Sequence, residues 1–153
     1  MTTRFFAFSI PGPPQGQGRG RVGVNRGTGR AQVFTPAKTR SYAQMIGGEW
    51  IAAGRPVLCD GPYRVSVSAY HKRPASHFKA NGDLSAAGRR AQHPGKPDLD
   101  NVLKGVLDAL VACGAVPDDR MMVSVAGFKM WAEGEGPRIF VQAMSYVVPE
   151  VVA

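Results

Sequence analysis

The residues best suited to chemistry are carboxylates grouped around one lysine. Asp98, Asp100 and Asn101 are followed one helical turn later by Lys104, and Asp118-Asp119 comes after a glycine that would stop a helix. Carboxylates weaken binding to a polyanion unless a cation lies between them and the phosphates. Mg²⁺ is such a cation, because it takes one or two carboxylates and completes its shell with water and phosphate oxygens. The pattern therefore predicts metal-dependent phosphodiester chemistry.

Each of these residues also has an ordinary structural interpretation. Asp98 could serve only as a helix cap, and Asp100 and Lys104 only as a surface ion pair. The Pro117-Asp118-Asp119 sequence could be only a turn. Their combination in one basic chain is what favours metal-ion catalysis.

The charge of the chain is segregated along its length. The formal net charge is +8, and residues 1–97 contain 15 of the 19 basic residues but 3 of the 11 acidic ones. The basic part is therefore expected to bind nucleic acid, and the acidic part to hold the site. The candidate DNA-binding residues lie in two basic segments, 11–30 and 72–97: Arg19, Arg21, Lys72, Arg73, Arg89, Arg90 and Lys96.

Composition narrows the class of protein. A length of 153 residues with 44% hydrophobic residues suits one globular domain, 1–153. No apolar run is long enough for a membrane helix, and the N-terminus does not resemble a signal peptide, so a cytoplasmic protein is expected. Cys59 and Cys113 form no CxxC pair, and the three histidines lack zinc-ligand spacing.

The first half of the chain predicts a strand, a helix and a second strand. Residues 4–10 alternate in hydrophobicity, and the Gly/Pro-rich residues 11–30 are expected to form a mobile basic loop. Thr35 is the expected N-cap of the next helix, with Pro36 as its first residue and Gly54 as its end. Residues 62–71 alternate again, and residues 72–97 are expected to form a long basic loop.

The second half predicts one strong helix and a hairpin. Leu99–Cys113 has the spacing of an amphipathic helix, with Asp98 as N-cap and Gly114 as its stop. Residues 122–131 and 138–148 are expected to be two strands joined by a Gly-rich turn. The fold class predicted from this order is α+β, with a mixed β-sheet and helices packed on it.

In that helix, Asp100, Asn101, Lys104 and Asp108 fall on one polar arc. Asp98 precedes the helix and can face the same opening. The link after Gly114 is expected to fold Asp118-Asp119 back toward the start of the helix.

These residues carry a family resemblance. The run from Lys96 to Lys104 (KPDLDNVLK), then Leu107–Leu110 (LDAL), then Asp118-Asp119 resembles the RusA family of Holliday junction resolvases, which are often phage or prophage endonucleases. The opening is also similar to the longer members, in residues 8–14 (FSIPGPP) and 34–40 (FTPAKTR).

The resemblance implies a RusA-like fold and a homodimer that binds four-way DNA junctions and makes paired nicks with Mg²⁺, or Mn²⁺ as a substitute. It implies that Asp98, Asp100 and Asp119 bind the metal and that Lys104 is catalytic. Asp118 matches a neighbouring acidic position of the family, and Asp119 is the stronger candidate of the two for metal binding. If the chain is phage-encoded, it would act in the cytoplasm of a bacterial host.

Three other functions remain open from the sequence. The chain could be a less selective nuclease acting on flaps or other branched DNA. It could be a non-catalytic nucleic-acid-binding protein of the same fold. It could also be a nucleotide-sugar transferase that uses Asp98-Leu99-Asp100 as a metal motif, although the basic charge disfavours this.

Overall fold

The computed structural model of the chain describes residues 2–59 and 61–145. The strands are β1 (Thr2–Thr3), β2 (Phe5–Pro11), β3 (Arg21–Val24), β4 (Ala31–Phe34), β5 (Val57–Leu58), β6 (Tyr63–His71), β7 (Met122–Trp131) and β8 (Arg138–Ser145). The α-helices are α1 (Ala37–Ala52), α2 (Ala86–Arg90) and α3 (Leu99–Ala112). Single 3-10 turns lie at Ala75–His77 and Asp119–Met121.

The centre of the fold is a four-stranded mixed sheet in the order β2-β8-β6-β7. Strand β8 is antiparallel to β2 and β6, whereas β6 and β7 are parallel. Two small ribbons, β1 with β5 and β3 with β4, lie outside this sheet. The predicted α+β class with a mixed sheet is confirmed.

Alternation along the strands explains which face of the sheet is covered. Every second residue of β6, from Tyr63 to His71, is buried, and so are Phe6, Phe8 and Ile10 of β2. Helices α1 and α3 pack over this apolar face through Tyr42, Ile46 and the buried stripe of α3, Val102, Val106, Ala109 and Leu110. The strands at 4–10 and 62–71 and the helix at 99–113 are thus confirmed, with shifts of one residue at their ends.

Helix α3 forms the crossover between the two parallel strands. A parallel pair needs such a connection, and the helix returns along the sheet in the direction opposite to both strands. The contacts agree, because Lys129 near the end of β7 binds the backbone just before α3, and Gly127 lies under Leu103 one turn further along. The start of α3 therefore lies at the end of β7.

Three sequence predictions need correction. Strands β7 and β8 do not form a hairpin, because β6 lies between them. The segment 11–30 is not wholly a loop, since Arg21–Val24 pairs with Ala31–Phe34. The segment 72–97 is also not wholly a loop. It contains α2, the 3-10 turn at Ala75–His77 and an antiparallel bridge between Phe78 and Leu84.

Smaller differences concern the element ends. Helix α1 starts after Pro36, which is its N-cap in place of Thr35, and makes no side-chain cap bond. The predicted extension of the last strand to Val148 lies outside the described residues. Among the described residues, no helix has the length and apolar character needed to cross a membrane.

We predict that Gly127→Ala destabilises the fold by about 1–3 kcal/mol, because overpacking strains a close contact. An added Cβ would lie 2.7 Å from Cδ1 and 3.0 Å from Cδ2 of Leu103, where β7 meets α3. Urea denaturation measures the change. The control is Gly48→Ala on α1, where a Cβ meets nothing within 4 Å and the helix should gain about 0.5–1 kcal/mol. Equal stability of Gly127→Ala and the wild type would contradict this packing.

Candidate active site

The N-terminus of α3 presents two carboxylates to solvent. Asp98 is the N-cap residue with an extended backbone, yet its side chain makes no cap hydrogen bond. Asp100 is in the first turn, and both side chains are exposed. An N-cap aspartate usually accepts a bond from the second or third helical N–H. The Asp98 carboxylate makes no such bond, so it is free to take another partner.

A groove runs along α3 beside β7. Its volume is about 620 Å³, and Asp100, Lys104 and Asp119 all line it. Its remaining lining is mainly apolar and comes from both elements: Leu103, Leu107, Val111, Ala112, Met122 and Val125, with Asp108 as a further acidic residue. Helix α3 therefore has two apolar rows. Leu103, Leu107 and Val111 face this groove, whereas the buried stripe described above faces the core.

Asp118 has a local structural role. Its carboxylate accepts bonds from the backbone N–H and the guanidinium of Arg120, with an ion-pair distance of 2.9 Å. The Arg120 hydrogen bonds hold the pKa of the Asp118 carboxyl below its ordinary value. Asp118 thereby caps the turn at Asp119–Met121, and Asp119 is the member of the pair that lines the groove.

The carboxylates do not assemble into one cluster within the chain. Asp98 and Asp100 lie at the start of α3, whereas Asp119 directly precedes β7, which starts at the other end of the crossover. Among the described residues, no three His, Cys, Asp or Glu side chains lie close enough to hold one metal ion. The expectation that the link folds Asp118-Asp119 back to the helix start is wrong, because a helix antiparallel to its strands carries that link to its far end.

The Gly-rich segment 15–18 is fixed to helix α3. The backbone N–H of Gln17 donates to the Asn101 carbonyl over 2.9 Å, and its Nε2 donates to Asp108 Oδ2 over 2.9 Å. A Cβ on Gly16 would lie 3.1 Å from Cβ of Pro97, so glycine permits this close approach. The segment carrying Arg19 and Arg21 is therefore anchored beside the start of α3.

The candidate DNA-binding residues divide into one that is engaged within the fold, Arg73, and six that are exposed. The side chain of Arg73 is 11% exposed, lies over the Trp131 ring and donates to the Gly88 carbonyl. Arg89 donates to the Leu84 carbonyl over 2.6 Å, although its side chain is exposed. The exposed candidates are Arg19, Arg21, Lys72, Arg89, Arg90 and Lys96. The prediction that these residues bind DNA stays a prediction, and Arg73 is already engaged within the fold.

Lys129 is a residue of the site that sequence reasoning missed. Its Nζ donates to the Gly95 carbonyl over 2.6 Å and to the Pro97 carbonyl over 3.0 Å. It lies on the helix side of β7, opposite the buried Ala69. Trp131, two residues on, donates from Nε1 to the Ala91 carbonyl over 2.7 Å. The end of β7 therefore fixes the backbone that leads into Asp98. The available signal was a single charged residue within an otherwise uncharged strand.

His71 lies beside this lysine at the end of β6. Burial and then the positive charge of Lys129 lower the pKa of its imidazole, which favours the neutral ring. Its Nε2 has no hydrogen-bond partner among the described residues. A neutral His71 adds no charge beside Lys129, whose described bonds are to the two carbonyls before Asp98.

The fold and the site together define a class. A crossover helix that begins with two exposed carboxylates and carries an exposed lysine, on a strongly basic chain, suits metal-dependent chemistry on a polyanion. Residues 11–144 match the family model described as Endodeoxyribonuclease RusA, and the chain therefore belongs to that family. It is a nuclease, and the family implies Holliday junction resolvase activity.

A relative in Bacillus subtilis (strain 168) is similar over almost its whole length. It is described as "Uncharacterized protein YqaN" and is 27% identical over 139 residues, which cover 90% of this chain and 96% of the relative. The similarity therefore extends over nearly all of both sequences and adds no function.

We predict that Lys129→Met loosens the backbone before Asp98. Losing hydrogen bonds from a charged donor costs about 1.5–3 kcal/mol, so the amide of Val102, which donates to the Asp98 carbonyl, should exchange roughly tenfold to a hundredfold faster. Hydrogen-exchange mass spectrometry measures this directly. Lys129→Arg should restore part of the protection, and Lys72→Met is the control with an exposed lysine. Unchanged exchange in Lys129→Met would show that these bonds do not hold the segment.

Proposed function

We propose that this protein is a Mg²⁺-dependent endonuclease that resolves four-way DNA junctions by paired nicks during recombination and repair. It would act as a homodimer in the cytoplasm, where Mn²⁺ could substitute for Mg²⁺. The observation that carries the proposal is the joint placement of Asp100 and Lys104 along one groove of α3, with Asp98 free at the helix start. Membership of the RusA family supports the choice of a junction as substrate.

The donor set of α3 fits a magnesium ion. Asp98 and Asp100 are hard oxygen ligands without a cap bond or an ion pair among the described contacts. Two carboxylates are a usual number for Mg²⁺, and water and phosphate oxygens complete its shell. When bound, the ion would polarise the scissile phosphate and lower the pKa of a bound water.

Lys104 supplies positive charge beside these carboxylates. It lies one helical turn after Asp100, is exposed, and lines the same groove. Hydrolysis of a phosphodiester increases negative charge on the phosphoryl and leaving oxygens. A fixed ammonium near those oxygens lowers the energy of the transition state more than that of the bound substrate.

The basic segments would hold the DNA backbone. Segment 15–18 is anchored to α3, and Lys129 and Trp131 anchor residues 91–97. Both segments thus bring exposed arginines and lysines toward the start of α3. Binding through such residues releases counterions, so affinity should fall steeply as salt rises. Arg73 is left out of this surface because its guanidinium is engaged within the protein.

We predict that Asp98→Asn and Asp100→Asn each abolish junction cleavage while leaving junction binding unchanged or tighter. The carboxylates are needed for metal, whereas affinity comes from lysines and arginines. Cleavage is measured on a labelled four-way junction, and binding by fluorescence anisotropy without Mg²⁺. Asp83→Asn is the matched control, because it removes the same charge from the exposed 72–97 segment. Cleavage near the wild-type rate would contradict the assignment, and an equal loss of binding would indicate a structural role.

We predict that Lys104→Ala reduces the single-turnover cleavage rate by about a hundredfold to a thousandfold, the usual cost of losing one preorganised charge-stabilising donor. Lys104→Arg should rescue poorly, because a planar guanidinium does not reproduce a compact ammonium. Junction affinity should change little in both variants. Arg55→Ala, at the far end of α1, is the control for loss of one positive charge. If Lys104→Ala cleaves at the normal rate and only melts at a lower temperature, Lys104 is a surface ion-pair partner and not a catalytic residue.

A further inference from the structure

A second pocket lies at the edge of the sheet where β6 and β7 end. Its volume is about 320 Å³, and its lining residues come from the segment after β6 and the segment after β7: Arg73, Phe78, Leu84, Ala132, Glu133 and Gly134. The two strands are parallel, so both end at the same edge, and Lys129 binds the Pro97 carbonyl there. The pocket therefore lies at the edge of the sheet at which α3 begins.

The walls of this pocket are held in place and are open to solvent. Arg73 donates from Nη1 to the Gly88 carbonyl over 2.9 Å, and its guanidinium lies 5.0 Å from the centre of the Trp131 ring. The Trp131 ring packs edge-on against His77, with 5.3 Å between ring centres. Phe78 is held by the antiparallel bridge described above, yet it is 42% exposed. A fixed aromatic side chain is thus presented at the surface.

The polar groups of the pocket are a donor and an acceptor. The Nε of Arg73 is buried and has no hydrogen-bond partner among the described residues. The carboxylate of Glu133 lies 3.5 Å from Nη2 of Arg73, and its side chain is 75% exposed, so it keeps the capacity to accept further bonds. Leaving a buried donor unpaired costs free energy, which a bound acceptor would recover.

This combination suits a neutral planar ligand better than a phosphate. Arg73 and Glu133 carry opposite charges, and the carboxylate disfavours an anion beside it. The volume is at the lower end of the range for ligand pockets, which fits one ring system. Segment 72–97 has six basic residues and one acidic residue, Asp83. Phosphates are therefore attracted to the surface around the pocket, and the pocket itself offers an aromatic face with hydrogen-bonding groups, as bases of single-stranded nucleic acid require.

We propose that this pocket binds one unpaired nucleobase of the DNA substrate. The base stacks on Phe78, and its edge accepts a bond from Nε of Arg73 and donates to Glu133. Taking a base out of a duplex costs least where the base is unpaired or mismatched, and the arms of a branched DNA meet at such positions. An intact linear duplex offers none, so the pocket favours branched DNA. This inference rests on the proposed function and adds a means of selecting the substrate.

Fluorescence of 2-aminopurine tests whether a base is taken out. The probe replaces single bases around the branch point of a four-way junction, and its emission rises when it leaves the base stack. Without Mg²⁺, the wild type should raise the emission beside the branch point and not in a linear duplex. Phe78→Ala should lose this rise and bind the junction about fivefold to a hundredfold less tightly, the usual cost of losing one base–aromatic stack. No rise with the wild type, or an undiminished rise with Phe78→Ala, would overturn the pocket.

Phe5→Ala is the matched control for loss of an exposed phenylalanine. Phe5 is 49% exposed and lies on β2, level with the start of β6 and thus at the end of the sheet opposite the pocket. This variant should keep both the emission rise and the affinity of the wild type. Equal losses in Phe5→Ala and Phe78→Ala would overturn the assignment of the effect to the pocket.

Photocrosslinking to the wild-type protein tests the contact without any substitution, and it decides the matter if Phe78→Ala fails to fold. A junction with 5-iodouracil beside the branch point is irradiated in the complex, and the attached residue is located by mass spectrometry of the peptides. The base should attach to Phe78. A crosslink to other residues and none to Phe78 would overturn the pocket.

The salt dependence of binding separates a base from a phosphate as the occupant. A stacked base neutralises no phosphate, so the slope of log K against log salt should be the same for Phe78→Ala, Glu133→Gln and the wild type. A slope that changes by about 0.9 in either variant would indicate a phosphate in the pocket and overturn the inference.

None of these readouts depends on cleavage. A protein that raises the 2-aminopurine emission and never nicks would overturn the proposed nuclease function alone. A protein that nicks the junction without the emission rise would overturn the base pocket alone.

Discussion

The direction of helix α3 is the constraint on which the site depends. Two parallel neighbours, β6 and β7, can be joined only by a crossover that returns along the sheet, and α3 is that crossover. Its first turn is thereby placed at the ends of both strands and its last turn at their beginnings. Asp98, Asp100 and Lys104 belong to one end of the molecule, and Asp119 to the other.

The same end of the sheet also holds the backbone that leads into Asp98. Lys129 and Trp131 donate to carbonyls of the segment before Asp98, while Gln17 binds the first turns of α3 from the other side. Basic residues that would hold DNA are carried on these two anchored segments. Among the described residues, no ion pair ties these basic side chains to Asp98 or Asp100.

Local patterns predicted the elements well. The spacing of apolar residues in 99–113 and the alternation in 62–71 depend on one face being buried, so both were visible in the sequence. The order of the strands could not be predicted from such patterns, because the parallel pairing of β6 with β7 joins residues about 60 positions apart. The Gly-rich segment before Arg138 has the composition of a hairpin turn, yet β6 lies between the strands that it connects.

The candidate site residues could be proposed from residue type and spacing, but their arrangement in space could not be predicted. Asp118 and Asp119 are adjacent in sequence, and only the structure separates a carboxylate bound to Arg120 from one that lines the groove. Lys129 and Arg73 look like any other basic residues until their carbonyl partners are known. Contacts between distant segments determine these roles.

Cleavage of defined DNA substrates tests the central claim most directly. Purified protein is incubated with a synthetic four-way junction, a fork and a linear duplex of equal length, with and without Mg²⁺. A junction resolvase should nick the four-way junction in symmetrically placed strands, only with Mg²⁺, and leave the linear duplex intact. Equal cutting of all three substrates would indicate a less selective nuclease. Tight junction binding with no nick under any metal condition would contradict the account.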